Sequence, residues 1–503
     1  MYEHNERQMI MPDEFFLPFG GKLDPENRWV VLANLIPWDK VEDIYIRSLK
    51  DTTQGNKALP ARMALGSLLI KERMRLSDEE TVEQIKENPY LQYFIGLSEF
   101  QQKAPFDSSL MTHFRKRFDA SIINQVNEWM VEAQMKEKQD TRNEQDDDDD
   151  LDSGADKAST RKIGASSPDK RSNQGKLLLD ATCAPADIAY PTDLRLLNEA
   201  REKLEGIIDT LHLPYRGTQP KPRTYRKKAR KDYLSVAKQR NPRRKTLRKA
   251  IGKQLNYIRR NLKHIESLVQ QGGLKSLSKR QYRELLVIQE LYRQQKIMFE
   301  TKTHQIDDRI TSIAQPHVRP IVRGKASASV EFGAKLSISM VDGFAFLDKM
   351  EWDAYHEGSY LIESVEAYRR RHGFYPEAVL ADKIYRTREN RAYCKEKGIR
   401  LSGPKLGRPS NEAKRNGLEK KIAHQDAIER NAIEGKFGEG KRKYGLGRIS
   451  ARLQTTSETV IALQFLVMNL EKVLRDTFLS FFQIWKALYL FVNRKKYTLI
   501  IEK

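Results

Sequence analysis

Cysteine is nearly absent: the 503 residues contain 2, Cys183 and Cys394, far apart and in no C-x-x-C spacing. A disulfide scaffold and a Cys-rich zinc module are therefore excluded, and two lone thiols fit a reducing, intracellular setting. A long apolar run is missing as well. The nearest candidate, 478–492, falls short of the roughly 20 residues a membrane span needs, and Ser480, Gln483 and Lys486 interrupt it. No membrane partner is expected. Met1 to Phe16 mixes acids and bases before any apolar run long enough for a secretory signal, so none is expected there either. A chain of this length has room for about three domain-sized units and can bury a core without covalent staples.

Positive charge is what the chain has in excess. Ninety Lys and Arg stand against 68 Asp and Glu, a net +22 with a pI near 9.6. Such an excess calls for a polyanion, most commonly nucleic acid, although a merely basic solvated surface gives the same total. Position separates the two. Residues 221–260 hold seventeen Lys and Arg and one acid, Asp232, which is +16 of the +22. Arg243, Arg244 and Lys245 stand consecutively within them and are candidate DNA contacts. Tyr225, Tyr233 and Tyr257 lie among the bases, which allows stacking on bases or simple packing. The opposite sign gathers at Asp146 to Asp150 and Asp152, inside a Ser-, Asp- and Lys-rich stretch. It lacks the turn Gly and terminal Glu of an EF-hand loop, and 121–175 reads as an acidic, disordered linker after an N-terminal tail, 1–21.

Between these landmarks, 22–120 reads as an all-α DNA-binding domain of short helices. Trp29, Val30, Ala33, Leu35 and Ile36 open it, Met63 to Leu76 carries a second apolar series, and Ser77 with Glu80 forms a capping box before Asn88-Pro89. A helix over 107–118 presents His113, Arg115, Lys116 and Arg117. That pattern fits a helix-turn-helix reader of the major groove and equally a bundle with a solvated basic end.

Beyond the linker the period shortens. Residues 176–180 and 377–382 are apolar strand-like runs, 330–338 and 344–350 alternate around Asp342-Gly343, and 363–371 reads as a helix. Strand, hairpin, helix, strand indicates an α/β layer. Inside it, over 195–315, Leu247, Ile251, Leu255, Ile258, Leu262, Ile265 and Val269 form one helical stripe that ends at Gly272-Gly273. A second helix from Ser278 carries Tyr282, Leu285, Ile288 and Tyr292, so the pair is expected as a basic antiparallel helical hairpin.

Three acids are candidates for chemistry. Asp180 and Asp382 each end an apolar strand, where a carboxylate is uncommon unless something needs it, and Glu434 lies on a later helix. Oxygen ligands on adjacent strands and a facing helix suit a pair of hard cations. Arg430, Glu434 and Lys441 fall within one narrow helical arc, which places two cations beside a carboxylate, as a phosphodiester substrate requires. An Arg-Glu surface pair is the plainer account of the same spacing.

At these residues the chain resembles the DDE transposases of bacterial insertion sequences, in particular the large group with a Tyr-Arg-Glu-Lys signature. The likeness is carried by Asp180-Ala181-Thr182, by Ala381-Asp382 and by the Arg-x3-Glu-x6-Lys spacing of Arg430, Glu434 and Lys441, with 22–118 similar to the group's N-terminal domain. It covers most of 15–475 and implies an α/β RNase H-like catalytic core over 176–475, a mixed sheet flanked by helices and interrupted by the basic insertion. It further implies that Asp180, Asp382 and Glu434 bind two Mg2+ ions, with Mn2+ as a substitute, and that Arg430 and Lys441 contact phosphates. The signature Tyr falls at Ala427, a departure that leaves the acids intact.

The expected function is that of a transposase. It binds the terminal inverted repeats of its element and catalyses metal-dependent strand cleavage and transfer, acting on element ends and target DNA as a homodimer or higher oligomer. Its expected place is the bacterial cytoplasm, at the nucleoid. The alternative is a catalytically inactive transposase-derived repressor or architectural protein. An RNA-associated scaffold accounts for the basic cluster but not for the two strand-end aspartates.

Other motifs carry less. Gly435 to Lys441 spells G-x-x-x-x-G-K, but Arg442 replaces the Ser or Thr of a P-loop and no strand precedes it. Lys405 to Pro409 matches an AT-hook as well as a plain loop. His356, His372 and His424 show no ligand spacing. The apolar and basic tail, 476–503, is expected to pack on the protein's own core, a dimer contact being its other use.

Overall fold

The computed structural model describes residues 11–18, 20–49, 57–149, 173–322, 330–403 and 413–501. The N-terminal third is all helical: α1 (Arg28–Leu35), α2 (Trp38–Ser48), α3 (Ala61–Met74), α4 (Asp78–Glu87), α5 (Pro89–Phe94), α6 (Leu110–Arg117) and α7 (Ala120–Asp149). Local chemistry sets the boundaries. The Ser77 hydroxyl accepts the Glu80 N–H at the start of α4, and Asn88 caps α5, whose first residue is Pro89.

The linker expected over 121–175 is corrected in its first half, because α7 occupies it. Ile123, Val126, Met130 and Val131 recur at helical spacing and are buried, a stripe that the acidic composition further on obscures. The Asp146 to Asp150 run adjoins and overlaps the helix end, and 150–172 lies outside the described residues.

The rest of the chain alternates strands and helices: β1 (Lys176–Pro185), α8 (Asp193–His212), α9 (Arg226–Ala237), α10 (Arg244–Gly272), α11 (Lys279–Thr301), β2 (Arg319–Val322), β3 (Val330–Val341) and β4 (Phe344–Glu351). Then follow α12 (Leu361–His372), β5 (Ala378–Ala381), α13 (Arg388–Glu396), β6 (Arg400–Leu401), α14 (Ala413–Lys443) and α15 (Gln454–Ile501). The six strands form one mixed sheet, β2-β3-β1-β5-β6, with β4 also paired to β3. β1 runs antiparallel to β3 and parallel to β5, and β6 continues the parallel half. The β3–β4 turn places Asp342 at φ 48° and Gly343 at φ 80°, the left-handed pair that a two-residue hairpin demands.

β1 is longer than the run 176–180. Thr182, Cys183 and Ala184 extend it along β3, so Asp180 sits inside the strand, at the point where pairing with β5 stops. The helical third and the sheet share one continuous core, from Phe15 to Leu474. α15 joins them, packing on α1, α3, α6 and α7 as well as on β4 and α14. Its buried Asn469 bonds the Ala345 backbone and the Asn127 amide, tying strand and helices together. Past Leu474 the helix leaves that core: Phe478 is 44% and Leu479 60% exposed, and the side chains of 480–501 lie outside the described ones. Among the described residues no helix is long and apolar enough to cross a membrane.

Between β1 and β2 the helices build a second core, from Leu196 to Ile313. The expected hairpin is not confirmed as a two-helix unit, since α10 and α11 belong to a larger helical group. α10 packs chiefly on α8 and to smaller, similar extents on α9 and α11, because Leu197, Leu204, Ile208 and Leu211 give α8 its own apolar face. The Ser278 cap is present, closed by a capping box with Gln281.

Candidate active site

Sheet register brings the two aspartates together. Leu179 of β1 pairs with Ala381, the last residue of β5, so Asp180 and Asp382 are the next residue on adjacent parallel strands. α14 runs past β1 and β5, and it continues unbroken through the glycines of 435–440 to Lys443. The G-x-x-x-x-G-K sequence is therefore mid-helix and forms no phosphate loop.

Asp180, Asp382, Arg430, Glu434 and Lys441 all line one cleft of about 830 Å³. Burial pushes the Asp180 carboxyl up to about 6, against the Ala181 N–H and the Arg430 charge, while Glu357 and Glu434 push it further up. Asp382 and Glu434 are each 57% exposed, and Asp382 accepts the Lys383 N–H at 2.7 Å, capping a short 3-10 turn. Arg430 stands 3.8 Å from Asp382 and 3.7 Å from Glu434. Ala427 is exposed on the same helix, one turn before Arg430.

Sequence spacing missed two groups in this cleft. Glu357 lies in the turn after β4, and Lys335 on β3 holds it at 3.0 Å while donating to the Tyr355 carbonyl at 2.7 Å. Only the tight-turn pair Glu357-Gly358 marks the position in the sequence, and nothing in it points to Asp180.

Other expected contacts lie elsewhere. Arg243, Arg244 and Lys245 are exposed at the start of α10. On α6 only Lys116 and His113 face solvent freely: Arg115 forks onto Asp78 at 2.9 and 2.7 Å, and Arg117 donates to the Tyr45 hydroxyl at 2.6 Å. Two of the three expected α6 contacts are thus turned inward, Arg115 onto a residue of α4 and Arg117 onto one of α2, while α6 itself packs on α3 and α15. The 405–409 segment lies outside the described residues. His372 is held in an aromatic cluster with Tyr368 and Phe374, and His424 is exposed.

Among the described residues no three acidic, His or Cys groups stand close enough together to enclose a metal ion. The donor set of the cleft nevertheless suits a hard divalent cation. It consists of carboxylate oxygens from β1, from the residue after β5 and from a facing helix, one of them desolvated, with Arg430 near two of them at loose distance.

Comparison with known proteins gives the family. Residues 379–471 match the family model described as "Transposase DDE domain", and 18–117 match the one described as "Transposase domain (DUF772)". A protein of Rhizobium meliloti described as "Uncharacterized protein ORF8 in nfe locus" is 30% identical over 182 residues, 36% of this chain and 73% of the relative. No solved structure matches the chain. The chain belongs to the DDE transposases of insertion sequences. Proteins of this family carry out DNA transposition and recombination, bind DNA and generally use divalent metal ions. The two family matches leave 118–378, and with it Asp180 and the basic helices, between them.

Proposed function

We propose that this transposase binds the terminal inverted repeats of its insertion sequence, cuts a DNA strand at each end and joins the freed end to target DNA. One observation carries the reading: five residues scattered from 180 to 441 line a single cleft. The antiparallel β4-β3-β1 half and the parallel β1-β5-β6 half of the sheet support an RNase H-like core over 176–475.

Asp180, Asp382 and Glu434 would hold Mg2+, two ions in this reading, with Mn2+ able to substitute. When bound, the ions supply Lewis-acid activation of the attacking oxygen and charge stabilisation at the leaving one. The chain itself provides position. Asp180 is fixed by the sheet and by its bond to the Ala181 N–H. Arg430 and Lys441, one face of α14, take the phosphates beside the scissile bond. The exposed bases of α9 and α10, Arg243, Arg244 and Lys245 among them, grip the backbone further out as part of an inserted unit over 195–315. The domain over 22–120 recognises the repeat. Two ends are cut together, so the active form is at least a homodimer on DNA, at the bacterial nucleoid.

The test is purified protein on labelled end-bearing DNA, with and without Mg2+. Nicking at the element boundary only with the metal supports the reading. Binding without cleavage at any metal concentration makes the protein a repressor instead.

A further inference from the structure

The cleft holds a fourth carboxylate that a three-acid site leaves without a task. Glu357 opens a 3-10 turn, Glu357–Tyr360, between β4 and α12, and lines the cleft with the three acids. Its place relative to Asp382 is built in. The buried Asn390 side chain donates to the Gly358 carbonyl at 2.6 Å and to the Tyr385 carbonyl at 2.8 Å, tying the turn that begins at Glu357 to the turn that Asp382 caps. The two turns touch at Gly358, where a Cβ would lie 2.5 Å from the Ile384 carbonyl oxygen.

The partner of Glu357 is Lys335, 3.0 Å away, and both side chains are mostly shielded, at 13% and 24% exposure. Lys335 comes from the opposite side of the sheet centre, from β3, whereas Arg430 and Lys441 come from α14. The cleft therefore has a carboxylate from the Glu357 turn and a cation from β3 in addition to those of α14. Hard divalent cations take at least six oxygen ligands, so three carboxylates leave room for a fourth.

We propose that Glu357 is a fourth carboxylate ligand of the divalent cation held beside Asp180, and that Lys335 competes with that cation for it. The proposal rests on the reading of this cleft as a divalent-cation site. It makes a prediction of opposite signs. Removing the Glu357 charge weakens cation binding, whereas removing the Lys335 charge releases Glu357 and strengthens it. A pair that merely braces the turn gives both losses the same direction.

The experiment follows the thermal unfolding midpoint of the full chain, without DNA, against Mn2+ and then Mg2+ concentration. Glu357→Gln raises the half-saturating concentration about tenfold, and Lys335→Met lowers it roughly threefold. Lys335→Arg, which keeps the charge, stays near the parent. An unchanged midpoint for Glu357→Gln, or shifts of both variants in one direction, overturns the proposal. Where Glu357→Gln fails to fold, Lys335→Met decides alone: tighter binding supports the proposal, and unchanged or weaker binding overturns it. Asp382→Asn separates this from the underlying reading. If the parent gains no stability from either metal, or Asp382→Asn keeps the full gain, the cation site itself is wrong.

Discussion

The Arg430 guanidinium lies 3.8 Å from the Asp382 carboxylate, although one residue sits mid-helix in α14 and the other directly follows β5. The contact is longer than a charge-assisted hydrogen bond, and Arg430 shares itself with Glu434 at 3.7 Å. A cation held this loosely is available to a phosphate. Arg430→Ala should lower cleavage of end DNA about 10²-fold and make the salt dependence of binding shallower by about 1 unit. Arg430→Lys keeps the charge but not the fork and should recover the slope better than the rate. Cleavage kinetics and salt titrations check both.

Arg115 and Lys116 are neighbours with different fates. Arg115 is 11% exposed and paired to Asp78, whose carboxyl stays below its ordinary range because the Arg115 and Lys71 bonds outweigh burial. Arg115→Ala should cost about 1–3 kcal/mol of stability, read by urea unfolding. Lys116→Ala should leave the unfolding curve in place and weaken DNA binding. The reverse result would mean that α6 meets DNA in another orientation.

The basic arm makes a quantitative claim. If Arg243, Arg244 and Lys245 each neutralise a phosphate, the triple Ala variant should flatten the plot of log affinity against log salt by about 2.7 units. An unchanged slope would show that the start of α10 serves something other than the DNA backbone.

How much of this was legible beforehand follows from where the signal lies. The β3–β4 hairpin was readable because Asp342-Gly343 has a short-range preference that tertiary packing does not override, and the Ser77 and Ser278 caps are local for the same reason. Asp180 and Asp382 were visible as acids closing apolar runs, and the spacing of Arg430, Glu434 and Lys441 holds because α14 stays regular. The α7 stripe was hidden by the Asp run beyond it. The α8 face and the packing of α10 on it depend on which apolar stripe meets which, and no single stripe encodes that. Glu357 and Lys335 reach the cleft only through sheet register and one loop, and the Arg115–Asp78 fork joins residues 37 apart that no local pattern links.

Acid should loosen the fold through two histidines. Burial, with nearby arginine charge, lowers His317 and His372 to about 4. Unfolded, each titrates near 6.5, so between about 6.5 and 4 the unfolded chain binds the extra protons. The stability these neutral rings carry is complete above that window and is lost as pH falls through it. The loss is on the order of 1 kcal/mol each after allowing for their partial exposure. Unfolding at pH 7 and pH 5 should differ less in His372→Phe, which has no proton to take up.

Asp180, Asp382 and Glu434 are expected to act together, and a paired assay of binding and cleavage decides whether they do. Asp180→Asn, Asp382→Asn and Glu434→Gln are each measured on the same labelled end DNA with Mg2+. All three should bind within a few-fold of the parent, and each should lose at least about 10²-fold in strand cleavage. Cleavage at the parent rate by any one of the three would contradict it.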